Sequence, residues 1–262
     1  TGGGNVAVGA YALDAATTGN TNTAIGRSAM GANVAGDRNV AVGYSALGTY
    51  NPSSNEDSYN VAIGYYALQA DTTGKNNTAV GGNSMAANTT GIDNVAVGTG
   101  SLAANTTGGE NTAIGKSALN DNTTASYNTA VGNDVMAANT TGHSNSAFGR
   151  FALLTNTTGS YNTAVGRDAL RYNETANGNT AVGFAAMSAN TTGADNNAFG
   201  YGALNANTTG GDNNAFGYNA LTTNTTGDGN SAFGHVALDA NTTADNNSAF
   251  GRNALTNCST GY

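Results

Sequence analysis

Asn94-Val-Ala-Val-Gly-Thr-Gly-Ser-Leu-Ala-Ala-Asn-Thr-Thr-Gly-Gly-Glu110 is followed at once by Asn111-Thr-Ala-Ile-Gly-Lys-Ser-Ala-Leu-Asn-Asp-Asn-Thr-Thr-Ala-Ser-Tyr127. The two stretches are one pattern written twice: N-x-A-[VIF]-G-x-x-A-[LM]-x-x-N-T-T-G-x-x, seventeen residues long. Its opening, Asn-x-Ala-(Val/Ile/Phe)-Gly, occurs fifteen times, from Asn5 through Asn22, Asn128 and Asn213 to Asn247. Successive copies lie 17 residues apart, except for one interval of 21 that carries a four-residue insertion within residues 48–59. Such a period predicts a single repetitive domain over residues 1–262, with repeats from Asn5.

Seventeen residues are too few for a helix-turn-helix repeat or a propeller blade, and the leucine-rich pattern is absent. One coil of a parallel β-solenoid remains. The reading is therefore an all-β chain of fifteen coils, each holding two short strands that pair with their copies in the next coil. The alternating run before each Gly fits a strand, and Gly with Asn fits the corners. The competing local reading for A-L-x-x-N is a brief helical turn capped by the second Gly.

Composition agrees with a thin repetitive structure. Leu, Ile, Val and Phe make up only about 14% of the 262 residues, a level that with high charge marks disorder. Here only 9% of residues are charged, so Ala, Gly, Asn and Thr must do the packing. One Pro and no G-X-Y period exclude collagen, and the absence of heptads excludes a coiled coil. Eight Lys+Arg against sixteen Asp+Glu argue against a nucleic-acid partner. No apolar run approaches the ~18 residues of a membrane span, so no membrane insertion by this segment is expected. The chain begins Thr-Gly-Gly-Gly without Met and reads as an excised or processed piece. Its single cysteine, Cys258, has no partner for an intrachain disulfide.

The columns show what stacking asks of each position. Position 1 is Asn in all fifteen copies, and stacked amides can bond from coil to coil as a ladder. Asn5, Asn22, Asn94, Asn128 and Asn213 are such candidate ladder residues. Position 5 is always Gly, and position 9 is Leu in eleven copies and Met in four. Position 3 is always Ala, and position 4 is always Val, Ile or Phe. Adjacent strand residues point to opposite faces, so this strand is apolar on both. One face can fill the coil. The other leaves an apolar stripe on the outside, which implies association with other chains. Alternatively, both residues of each pair are tucked inside at a corner.

Asn5-Val-Ala-Val-Gly9, Asn60-Val-Ala-Ile-Gly64 and Asn94-Val-Ala-Val-Gly98, each followed by Ala-Leu or a similar pair, resemble the head repeats of YadA-like trimeric autotransporter adhesins and related repeats of viral and phage tail fibres. The resemblance covers essentially the whole chain. It implies a left-handed parallel β-roll, a parallel homotrimer and a role in attachment at a cell or virion surface. This coil is longer than the adhesin repeat, and its second half is A-L-x-x-N-T-T-G. Neither a coiled-coil stalk nor a membrane anchor is present in the sequence.

Chemistry finds little footing. His143 and His235 lie six copies apart in variable columns. No Ser or Cys has a visible partner base. Asp93, Glu110, Asp195 and Asp212 recur at position 17, but the calcium β-roll signature is missing, so they read as solvated corner charges. Neither a metal site nor a cofactor is expected, and the chain reads as a non-enzyme. Two features are candidates for recognition. The insertion, Gly48-Thr-Tyr-Asn-Pro-Ser-Ser-Asn-Glu-Asp-Ser-Tyr59, reads as a protruding loop with Tyr50, Pro52, Glu56, Asp57 and Tyr59 as candidate receptor contacts. Aromatics at positions 6 and 7, such as Tyr44, Tyr65, Phe184, Tyr201 and Tyr218, suit either a cell-surface glycan or a neighbouring chain.

The functional expectation is a structural and interaction protein: the shaft or head of an extracellular trimeric fibre that contacts a glycan or protein receptor. The alternative is an ice-binding solenoid, using the Thr file at position 14 (Thr73, Thr90, Thr107, Thr226). A polymer-processing β-helix enzyme is a remote third.

Overall fold

Positions 2–4 of each copy form a three-residue strand, and within each unit a strand pairs in parallel with the strand one copy on. Val95 aligns with Thr112, Ala96 with Ala113 and Val97 with Ile114. The computed structural model describes residues 2–259. It divides into two units, residues 1–128 and 129–262. In the first, seven such strands stack in one sheet, from Val6–Val8 to Thr112–Ile114. In the second, eight stack, from Thr129–Val131 to Ser248–Phe250. Each unit is a parallel β-solenoid, and no helix occurs among the described residues.

The interior of each coil is thin because small residues line it. Beyond the first coil, where Ala7 is exposed, the Ala at position 3 is buried in both units, as at Ala96 and Ala215. Behind it lie position 8, mostly Ala, and the Leu or Met of position 9, also fully buried except near the ends of the stack. Position 5 admits only Gly for two reasons. Gly26 has φ of +130°, a conformation that L side chains rarely adopt, and a Cβ there would sit 2.5 Å from the carbonyl oxygen of Gly43 in the next coil.

The second half of the coil departs from expectation. It forms neither the second strand nor the helical turn, but a succession of turns. The reason is a run of left-handed backbone at positions 7 and 9. Every position-9 residue has positive φ, for example Leu102 at 51°, Leu119 at 51° and Met187 at 51°. That conformation interrupts both helix and strand, and it costs a non-glycine residue about 1–2 kcal/mol. Burying the side chain returns about 1.5–3 kcal/mol, enough to hold it. The turns also stack by backbone bonds. The N–H of Leu102 donates to Ala118 O at 2.9 Å, and the N–H of Thr89 donates to Thr106 O at 2.9 Å.

Two columns of Asn complete the coil. At position 1, within each unit, the N–H of an Asn donates to the side-chain oxygen of the Asn one coil earlier. These bonds span 2.8–3.1 Å from Asn5 to Asn128 in the first unit, and the Asn213 to Asn196 bond in the second is 2.9 Å. The amide then donates to the position-15 carbonyl of its own coil, as Asn94 does to Gly108 O at 2.9 Å and Asn22 to Gly36 O at 2.8 Å. Position 12 carries a second ladder: Asn105 Nδ2 donates to Asn88 Oδ1 at 2.8 Å and to Gly108 O at 2.9 Å. These Asn side chains are buried, so the ladders remove polar groups from water with their bonds made.

Candidate interaction surface

Strand alternation sends position 3 inward and positions 2 and 4 outward. The position-4 side chains therefore form an apolar file on the surface of each unit. Ile25 and Ile114 are each 40% exposed and Phe148 41%, whereas the neighbouring Ala side chains are fully buried. The tucked-corner alternative thus fails for positions 3 and 4. It holds for positions 8 and 9, both of which face the interior. In the second unit, Phe199, Phe216, Phe233 and Phe250 stack ring on ring, with centroids 4.7–5.0 Å apart and planes within 9°. Stacking at the coil spacing makes the file stiff as well as apolar.

Position 6, beyond the Gly, carries a second file. Phe184, Tyr201, Tyr218 and His235 stack at 5.1–5.3 Å with planes within 15°. In the first unit Tyr44 stacks on Tyr65 at 5.5 Å. The ring faces are turned on one another, which leaves mainly ring edges and hydroxyls for a partner. Arg167 lies over the Phe184 ring at 5.7 Å, at the start of that stack.

The insertion does not stand away from the coil as expected. Glu56–Asp57 pairs in parallel with Gly36–Asp37. Lys75 bonds Glu56 at 2.7 Å, Arg38 pairs with Asp57, and Tyr59 Oη donates to Asp57 Oδ2 at 3.1 Å. Tyr50 is fully buried in the place of the position-12 Asn, against Gly36, where a Cβ would meet its ring. Burial pushes its hydroxyl up to about 12. Pro52 is buried too. Tyr50 and Pro52 therefore cannot touch a receptor. Asp57 and Tyr59 are exposed and Glu56 is half-buried, so these three keep access to a partner.

Asp71 was missed by reasoning from sequence. It occupies position 12 in the next coil, the one carboxylate in a column otherwise mostly Asn, and it is fully buried. Its Oδ1 accepts the Gly74 N–H at 2.7 Å, while its Oδ2 and the Tyr50 hydroxyl have no hydrogen-bond partner. Burial raises the Asp71 carboxyl to about 7. The signal lay in the column: Asn fills position 12 in eleven copies and is replaced only at Ala16, Tyr50, Asp71 and Cys258.

Other candidate chemistry is sparse. Among the described residues, no group of three His, Cys, Asp or Glu could hold a metal ion. Asp93, Glu110, Asp195 and Asp212 are exposed. The position-13 hydroxyls are committed to the next coil, as Thr89 Oγ1 is to Thr106 O at 3.0 Å, which leaves the position-14 Thr as the open hydroxyl of the N-T-T-G segment. No helix among the described residues is long and apolar enough to cross a membrane. Neither a protein-family model, nor a curated protein, nor a solved structure matches the chain.

Proposed function

We propose that this chain is a segment of the shaft or head of an extracellular homotrimeric fibre that serves in surface attachment, as in a phage or virus tail fibre or a bacterial adhesin. The observation that carries the reading is the outward apolar file at position 4, repeated in every copy beside a fully packed interior. A stripe of this kind is covered by another chain more often than by water. Three chains, left-handed winding and the attachment role rest on the resemblance of the Asn-x-Ala-(Val/Ile/Phe)-Gly repeat to YadA-like heads and tail fibres. The mechanism is mechanical. Ladders bond the coils along the axis, apolar files join the chains, and the resulting stiff spacer displays loops such as Asp57 and Tyr59.

The test is substitution on the outward file. Phe216→Lys with Phe233→Lys leaves the coil interior intact, so the circular dichroism spectrum should be unchanged while light scattering reports dissociation to single chains. Unchanged mass would remove the file from the interface. Ice binding has less support, because the committed position-13 hydroxyls leave the N-T-T-G segment one open Thr file where a flat ice face needs two side by side. Measurable thermal hysteresis would favour it.

A further inference from the structure

The strand face of the second unit has two differently charged borders. Asp195 and Asp212 directly precede the position-1 Asn of their strands, and Asp228 and Asp245 stand one residue earlier in the next two coils. On the far border of the same four strands, in the same order, stand Tyr201, Tyr218, His235 and Arg252 at position 6. All eight residues are exposed. Each strand of this run thus begins at a carboxylate and ends at a hydrogen-bond donor or cation. The first unit repeats the arrangement with Glu110 and Lys116 around Thr112–Ile114. Across the chain, five of the eight Lys and Arg (Arg27, Lys116, Arg150, Arg167, Arg252) stand at position 6, a column without a carboxylate.

Among the described residues of the second unit, no ion pair joins these borders: Arg167 and Arg171 pair with Asp168, and none of the four carboxylates is used. Asp228 and Asp245 each spend one oxygen on a backbone N–H, of Gly211 at 2.7 Å and of Asp228 at 2.8 Å, and keep the other free. The donor border is held straight by its own stack, from Phe184 to His235.

We propose that the two borders pair between copies of this chain, level by level, the carboxylates of one copy against the position-6 donors of its neighbour, and that this pairing sets chain polarity. The inference rests on the self-association proposed above and adds the residues that orient it. Rotation about an axis along the stack brings one copy's carboxylate border to its neighbour's donor border at the same height. Turning one copy end for end instead sets carboxylates against carboxylates. Like charges so placed reject the wrong orientation. A slip of one coil places Asp195 opposite Phe184, which has no donor, so register is favoured as well.

The test compares two triple variants with equal added charge. Tyr218→Glu/His235→Glu/Arg252→Gln alters the donor border, and Thr209→Glu/Thr226→Glu/Thr243→Glu adds charge at exposed position 14, off the strand face. Sedimentation velocity should show association at least tenfold weaker for the first and near wild type for the second. Orientation is read separately by pyrene attached at Ser248→Cys in a Cys258→Ser background. Excimer emission is expected from parallel copies. An assembled protein with equal weakening in both variants, or without excimer, would overturn the pairing and leave self-association standing. A wild-type protein that stays monomeric would overturn both.

Discussion

The main-chain N–H of Asn111 donates to the side-chain oxygen of Asn94 at 3.0 Å, while the Asn94 amide donates to Gly108 O at 2.9 Å within its own coil. One short side chain thus ties the next coil above it and closes its own turn. Only Asn offers an acceptor and a donor at this reach. Asp lacks the donor, and Gly lacks both.

Removing Asn94 should therefore leave the buried Asn111 N–H unpaired, while Gly108 O still accepts from Asn105 Nδ2. One such group costs about 1–3 kcal/mol, so Asn94→Ala should lower stability by about that amount. Asn5 is exposed, and its oxygen accepts only from Asn22. Asn5→Ala should cost well under half as much. Thermal melts of the two variants check this, and equal, negligible shifts would remove the ladder's energetic role.

Asp71 gives the protein a pH dependence of unusual sign. Its carboxyl is raised by burial from 3.8 to about 7, so between those values the folded chain holds a proton that the unfolded chain lacks. Stability should fall as pH rises from about 4 to 7 and then level off, a loss on the order of 4 kcal/mol. Asp71→Asn keeps the shape and restores an amide to the column. It should raise the melting temperature more at pH 8 than at pH 5. Parallel profiles for wild type and variant would show that Asp71 is not the group responsible.

The position-12 ladder ends where Cys258 replaces Asn, and Asn241 Oδ1 is left buried without a partner. Cys258→Asn should supply the missing donor, as Asn241 itself does to Asn224 Oδ1 at 2.8 Å. We expect a gain of about 1 kcal/mol, read as an increased urea midpoint with unchanged slope.

Leu119 is fully buried at a φ of 51°. A swap to Ile conserves volume and ordinarily costs less than about 1.5 kcal/mol in a core. Here the β-branch meets left-handed backbone, which is a true outlier for such side chains. Leu119→Ile should exceed that range, and Leu119→Met, the natural variant of this column, should not. Chemical denaturation of both separates backbone strain from packing.

Much of this architecture was legible in the repeat. The spacing of Asn94 and Asn111 set the coil length, and the Ala-Val and Ala-Ile pairs marked a strand apolar on both faces. The second strand was an error with a physical cause. Leu and Met carry no local signal for positive φ, so the turn at position 9 is visible only once burial is known to hold it. Tyr50 misled in the same way. A Tyr beside the one Pro reads as an exposed loop, yet it substitutes for an Asn in a buried column. The charged borders lie in plain view in the sequence, but only the strand face between them gives them meaning.

If the outward file at position 4 is an interface between copies, the chain must associate on its own. Sedimentation equilibrium of the wild-type chain at low micromolar concentration tests it most directly. The expected mass is three times that of the 25.8 kDa chain, falling to one chain when Phe216 and Phe233 are replaced by Lys. A wild-type mass of 25.8 kDa across that range would contradict it.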